Sequence, residues 1–415
     1  MGTTPEVPDI LSAEFAEDPY SAYRIMREHH PLIEHEATQS WIISRYEDVS
    51  RAFRDPSFTT DNYDWQLEPV HGRTILQMSG RTHSIRRALV APAFRGNTLQ
   101  EMFLPVIERN AGALIEGFAE SGQADLVGDF ATRFPVNVIV DMLGLNKEDH
   151  ARFHRWYTSI IGFLSNLNQD PEVAADGMRT RDEFAEYMLP IIQDRRNNPG
   201  DDLLSTLCQA EVEGTRMSDE DIKAFCSLLL TAGGETTDKA VSSLFHNLLQ
   251  HPGQLAAVRE DRSLIPAAFA ETLRYSPPVH MIMRQTSEEV TIGGGRVPAG
   301  ATLTCLIGAA NRDERRYADP DTFDIFREDL NTTKDVAFSA AADHLAFALG
   351  RHFCVGALLA KAEVETGTNL LLDAMPDVAL REDFAPHEEG VFTRGLAELP
   401  VRFTPAAGDR AAVPA

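Results

Sequence analysis

The stretch Phe347-Ala348-Leu349-Gly350-Arg351-His352-Phe353-Cys354-Val355-Gly356 runs directly into a helical pattern that begins at Ala357. It sets one cysteine between two glycines at the start of a predicted helix. At that position the positive end of the helix dipole favours thiolate. Glycines four residues before and two after the cysteine permit turns that aim N–H groups at the sulfur and let a flat ligand come close. A thiolate ligand to haem iron needs such a loop, because hydrogen bonds to the sulfur tune the metal. The competing reading is that Cys354 is a small buried hydrophobe, the commoner role of a cysteine. The flanking pattern weighs against it.

Working outward, two further segments carry chemistry. Ala232-Gly233-Gly234-Glu235-Thr236-Thr237 lies inside a long apolar helix predicted over 222–250. Two glycines and two β-branched threonines are poor helix-interior residues, so the stretch permits a local kink with an acid and an alcohol beside it. A loosely built surface helix is the alternative, but Leu228-Leu229-Leu230 just before it argues for burial. Downstream, Glu271-Thr272-Leu273-Arg274 puts an acid and a base at i, i+3 on one helical face, a weak signal alone.

The whole chain bounds these readings. It has 415 residues, long enough for one large domain or two to three small ones. Hydrophobic content of 43% and charged content of 24% exclude wholesale disorder. With 38 Lys and Arg against 63 Asp and Glu, the net charge is -25, which disfavours nucleic-acid and anionic-lipid partners. No apolar run approaches the ~20 residues of a membrane span, and no signal peptide stands at the start. Cys208, Cys226, Cys305 and Cys354 form no CxxC pair, so a reducing cytoplasm is expected.

Most of the chain reads as amphipathic helices: 20–29, 99–120, 135–143, 183–196, 222–250 and 265–275, with Ser218-x-x-Asp221 as a capping box for the long one. Strand signals are fewer. They fall at Trp41–Ile43, at a hairpin over 290–297 turned by Gly293-Gly294, and at Ala301–Leu306. The expectation is a mainly α fold with small antiparallel β elements. No glycine-rich βαβ opening suggests a dinucleotide domain.

In this order, the three segments resemble the cytochrome P450 family. The long-helix motif is similar to its Ala/Gly-Gly-x-Asp/Glu-Thr-Thr/Ser, the ExxR follows, and 347–356 resembles FGxGxHxCxG, with Ala348 where the family usually has Gly. The resemblance covers roughly Ile10 to Phe403. It implies the cytochrome P450 fold, residues 1–404 as one haem domain, and 405–415 as a disordered tail. It also implies a haem b cofactor with Cys354 as axial ligand, and Glu235 and Thr236 as the proton-delivery pair. His83, Arg87, Arg284 and His352 fall at positions that bind the haem propionates, and Ala232 and Gly356 at other haem-contacting positions. Arg327 matches the third member of a structural triad with Glu271 and Arg274. Substrate-facing candidates are Leu76, Gln77, Leu228, Leu229, Val279, His280, Ile282, Val391 and Phe392. Most are apolar, which implies a lipophilic substrate, with Gln77 or His280 as a hydrogen-bonding handle.

The activity implied is insertion of one oxygen atom from O₂ into a lipophilic small molecule, by hydroxylation or epoxidation, in a bacterial biosynthetic pathway. Electrons would come from NAD(P)H through a ferredoxin and its reductase, since no reductase is fused, and the protein would be a cytoplasmic monomer. Arg86, Arg95, Arg351 and Lys361 form either a positive patch for that acidic partner or ordinary surface charge. His150 and His154, at i, i+4, lack an evident third metal ligand, and His29-His30 and Glu288-Glu289 read as solvated. Two rivals remain: a peroxide-driven haem-thiolate enzyme, which would not need the Glu235-Thr236 pair, and a haem carrier without turnover, which has no use for it.

Overall fold

A computed structural model describes residues 5–166 and 169–405 of the chain; the expected disordered tail, apart from Pro405, lies outside the described residues. The fold is mainly helical, as the apolar periodicity predicts. Helices that bear on the site are α1 (Gly80–Val90), α2 (Leu104–Glu116), α3 (Arg133–Met142), α4 (His150–Leu164), α5 (Pro171–Asn197), α6 (Asp219–Gln250), α7 (Ile265–Tyr275) and α8 (Ala357–Ala374). Helix α6 is the axis of the molecule, packed against α3, α4, α5, α7 and α8. It is buried almost all round, which explains why its sequence lacks one clean apolar stripe. Its start is the predicted capping box: Asp221 N–H donates to Ser218 Oγ at 3.1 Å, and Ser218 N–H to Asp221 Oδ2 at 2.8 Å.

The sheet that flanks this bundle has five strands: β1 (Leu32–His35), β2 (Ser40–Ile43), β3 (Phe58–Thr59), β4 (Met281–Thr286) and β5 (Thr302–Leu306), in spatial order β1-β2-β5-β4-β3. All pairings are antiparallel except β2 with β5, where Ser40 faces Thr302 and Ile43 faces Cys305 in parallel. The hairpin read at 290–297 forms a two-stranded unit of its own.

Two local expectations change. The helix predicted over 99–120 divides into a π-helical turn, Thr98–Phe103, and α2; Pro105, which has no N–H, sits where the ladder changes. The helix predicted over 183–196 begins twelve residues earlier, at Pro171. Its first half carries few large apolar residues, so no apolar stripe marks it, although Asp170-Pro171-Glu172 is a legible start. Helix α6 runs unbroken through 232–237. The glycines there serve close packing: a Cβ on Gly234 would sit 3.0 Å from the Tyr157 ring of α4 and 3.3 Å from Val136 of α3.

Candidate active site

Helix α8 is preceded by a tight loop that presents Cys354. Cys354 N–H donates to Phe347 O at 2.9 Å and closes the loop on itself. Gly350 has φ 69°, and a Cβ there would lie 2.6 Å from Phe53 O, so glycine is required. Ala348, the position that departs from the family pattern, also adopts a left-handed φ of 54° and is buried. Burial pushes the Cys354 thiol up, while the Gly356 N–H and the Arg87 guanidinium pull it back towards thiolate. The other three cysteines are buried packing residues.

Cys354 lines a cavity of about 400 Å³. Around it stand His83 and Arg87 of α1, Arg284 of β4, and His352. The imidazoles of His83 and His352 lie 4.3 Å apart. Burial and the neighbouring guanidinium groups hold His83 below its ordinary range, and burial, then His83 and the arginines, takes His352 down to about 3. Among the described residues neither Arg87 nor Arg284 has a carboxylate within ion-pair distance; Arg284 lies 4.9 Å over the Phe53 ring. Two arginines without a carboxylate partner and two neutral imidazoles on one wall of an apolar cavity are a donor set that suits a ligand bringing its own carboxylates. With a cysteine sulfur also on the wall, these residues fit a haem.

Opposite, α6 contributes Ala232, Glu235 and Thr236 to the same cavity. Thr236 Oγ1 donates to Ala232 O at 2.8 Å, a back-bond that occupies the hydroxyl proton. Glu235 Oε1 accepts from Thr393 Oγ1 at 2.5 Å and lies 3.5 Å from Lys239 Nζ. Leu76, Leu228, Leu229, Val279, Ile282 and Phe392 line the walls, as does Gly356.

Gln77, His280 and Val391 do not. Gln77 Oε1 accepts from the Thr74 N–H and hydroxyl, and its amide donates to Glu68. His280, just before β4, turns away from the cavity, with its Nδ1 3.0 Å from Tyr23 Oη. Val391 packs on the N-terminal cluster around Tyr23.

The triad residues meet. Arg274 Nε and Nη2 each donate to Glu271 at 2.7 Å, and Arg327 Nε lies 3.1 Å from Glu271 Oε2. Arg274 also donates to the Asn311, Pro320 and Thr322 carbonyls, which pins the segment after β5 to α7.

His150 and His154 share a face of α4 but bond separately, to Asp141 and Asn137, and no metal-ligand cluster occurs among the described residues. Of the four surface cations, Arg86 pairs with Asp221 and Lys361 with Glu365 and Asp335, whereas Arg95 and Arg351 are exposed.

Besides Thr393, sequence reasoning missed two cavity groups. His71 is buried, its Nδ1 2.9 Å from Ser227 Oγ and its Nε2 without a partner among the described residues; burial and Lys223 hold it down to about 4. Glu363 of α8 is a buried acid pushed up to about 8 by desolvation, opposed by a 3.5 Å contact from Thr237 Oγ1. A lone His and a lone Glu carry no spacing signal. Only Thr237, adjacent to the acid–alcohol pair, pointed that way.

A cysteine-bearing loop and an acid–alcohol helix face each other across one apolar cavity, which defines a haem-thiolate class of site. The comparisons agree with that class. A family model described as Cytochrome P450 matches residues 16–374. Pulcherriminic acid synthase of Bacillus subtilis is 42% identical over 396 residues, covering 95% of this chain and 97% of that protein. Cyclomarin C epoxidase CymV of Salinispora arenicola is 33% identical, covering 91% and 92%. The crystal structure of CYP109E1 from Bacillus megaterium with testosterone superposes with a TM-score of 0.82 at 30% identity, covering 93% and 99%. The chain belongs to the cytochrome P450 family and is a monooxygenase of that family, an oxidoreductase whose family implies haem. No described helix is long and apolar enough to cross a membrane.

Proposed function

We propose that the chain inserts one oxygen atom from O₂ into a lipophilic small molecule, by hydroxylation or epoxidation, in a bacterial biosynthetic pathway. The observation that carries this reading is Cys354 and the Glu235-Thr236 pair on one cavity whose substrate-side walls are leucine, isoleucine, valine and phenylalanine. Similarity to a synthase and an epoxidase of named natural products supports the pathway setting.

In this reading Cys354 holds the iron of haem b, and His83, Arg87, Arg284 and His352 bind its two carboxylates. Ala232 and Gly356 leave room for the flat ring. What the haem supplies when bound is an iron centre that takes up O₂ and two electrons and delivers one oxygen atom to the substrate. The chain supplies the rest. Apolar walls keep bulk water out, Thr236 holds a water in the cavity by its oxygen, and Glu235 exchanges protons with solvent. His71 Nε2 is the hydrogen-bonding handle, since Gln77 and His280 are already spent elsewhere. Glu271, Arg274 and Arg327 hold the fold beneath the site, and residues 1–404 act as one haem domain. A ferredoxin and its reductase deliver electrons to a cytoplasmic monomer, with Arg95 and Arg351 at the docking face.

The test is optical. Reduced protein under CO should show the red-shifted Soret band of a thiolate ligand, and Cys354→Ser should lose it. A panel of lipophiles, testosterone among them, should shift the Soret band of the oxidised protein towards high spin. A thiolate band retained by the serine variant would overturn the reading.

A further inference from the structure

The proton-delivery pair does not stand alone. Glu235 receives a hydrogen bond from Thr393, a residue nearly 160 positions downstream whose backbone neither enters nor leaves α6. The segment that carries Thr393 is strapped to the residues before β4. Val279 and Thr393 form an isolated antiparallel bridge. His280 N–H donates to Phe392 O at 2.8 Å, and Arg394 N–H to Pro278 O at 2.9 Å.

Arg394 is buried and fixes the strap from beneath. Its guanidinium donates to Glu388, to the Ala16 and Glu17 carbonyls and to Gly390 O. The turn can be this tight only because residue 390 is glycine: at φ 103°, an added Cβ would fall 1.9 Å from Thr393 O. On the other side, Gly395 lets the Lys239 stem pass, where a Cβ would be 2.6 Å from its Cγ. Glu235 therefore sits between a hydroxyl held by the strap and an ammonium on the next turn of its own helix.

Both contacts fall on the same oxygen, Oε1. Among the described residues no hydrogen bond falls on Oε2. An unanchored glutamate would share its time among many rotamers, whereas a proton carrier works only when its carboxylate is within hydrogen-bond reach of the group it serves. We propose that Thr393 is a positioning residue for proton delivery: its hydroxyl anchors Glu235 Oε1 so that Oε2 is the oxygen that takes up and passes on the proton. This rests on the reading of Glu235 as a relay. It adds that the strap over 390–395, which also carries Phe392 into the cavity wall, sets the relay's geometry.

The experiment compares Thr393→Val, Thr393→Ala, Thr393→Ser and Glu235→Gln in the full haem-loaded chain. Crystal structures of the oxidised variants report the Glu235 side chain directly. Reductant oxidation is then followed in H₂O and D₂O with a ferredoxin system in excess and testosterone as the probe lipophile. That rate is readable whether or not the steroid is converted, because O₂, two electrons and two protons give hydrogen peroxide. Thr393→Val and Thr393→Ala should release Glu235 from its single conformer, slow oxidation about tenfold and change the solvent isotope ratio. Thr393→Ser should restore all three.

If Glu235→Gln is slow but Thr393→Val and Thr393→Ala keep the rate, isotope ratio and Glu235 conformer of the wild type, the positioning role is overturned and the relay stands. If Glu235→Gln also matches the wild type, the relay falls, and this proposal with it.

Discussion

At the scale of single residues, Ala348 shows how a departure from a motif becomes a measurable strain. A left-handed backbone costs a non-glycine residue about 1–2 kcal/mol, and glycine recovers that in the fold while losing about 0.4–1 kcal/mol through a freer unfolded chain. The fold-side effect wins. Ala348→Gly should raise stability by up to about 1 kcal/mol, or about 1–3 °C in Tm, and a fall in Tm would show that the alanine methyl repays its φ by packing. Glu363 gives a second test. Its acid is pushed up to about 8, against an ordinary value of 4.5, by burial. The unfolded chain releases this proton from about pH 4.5 upward and the fold only near 8, so the unfolded state binds fewer protons in between. Stability is therefore fully present below about 4.5 and declines as pH rises towards 8, by at most about 1.4 kcal/mol per unit. Glu363→Gln removes the ionisation, so its Tm relative to wild type should climb between about pH 5 and 8; a constant difference would place that carboxyl in contact with solvent. The cysteine, the acid–alcohol pair and the four propionate candidates were legible because a motif has spacing. His71, Glu363 and Thr393 were not, because each acts through a partner far away in the chain.

At the scale of elements, the contacts of α7 explain why a weak sequence signal matters. Glu271 and Arg274 are an i, i+3 pair of a kind that exposed helices carry by chance, yet here both are buried and Arg327 joins them from a loop. Glu271 takes four contacts: two from Arg274, one from Arg327 and one from the Asp324 N–H. Glu271→Ala strands two guanidinium groups and an N–H, which should cost on the order of 3–5 kcal/mol. Little haem-loaded protein should accumulate, and full haem incorporation with unchanged Tm would contradict the buried network. The capping box and a long apolar run located α6, and an apolar stripe located α7. The first half of α5 escaped because few large apolar residues mark it, and the interior strand β4 escaped because Arg284 and Gln285 interrupt its apolar alternation. The poor helix formers at 232–237 do not end α6, because Gly234 is held in close packing against Tyr157.

At the scale of the whole molecule, the net charge of -25 makes any basic island conspicuous to a charged partner. Two of the four candidate cations are already neutralised by carboxylates, so Arg95 and Arg351 should carry most of the attraction. Reversal of Arg351 to glutamate should slow reduction by an acidic ferredoxin several-fold at low salt and leave the rate nearly unchanged above about 0.3 M, where surface charges are screened. Stopped-flow reduction against ionic strength reads this, and equal rates at low salt would remove the residue from the docking face. The one parallel pairing in the sheet has a consequence of another kind. Strand β2 ends at Ile43 and its partner β5 opens at Thr302. During synthesis the first hairpin leaves the ribosome about 260 residues before the strand it must join, a wait of roughly ten seconds to a minute at ordinary elongation rates. Throughout that interval β2 presents an unpaired edge bearing Trp41, Ile42 and Ile43. The nascent chain is thus most exposed to mispairing at its very beginning, and a chaperone that shields this hairpin should raise the yield of folded protein more than any change near the haem.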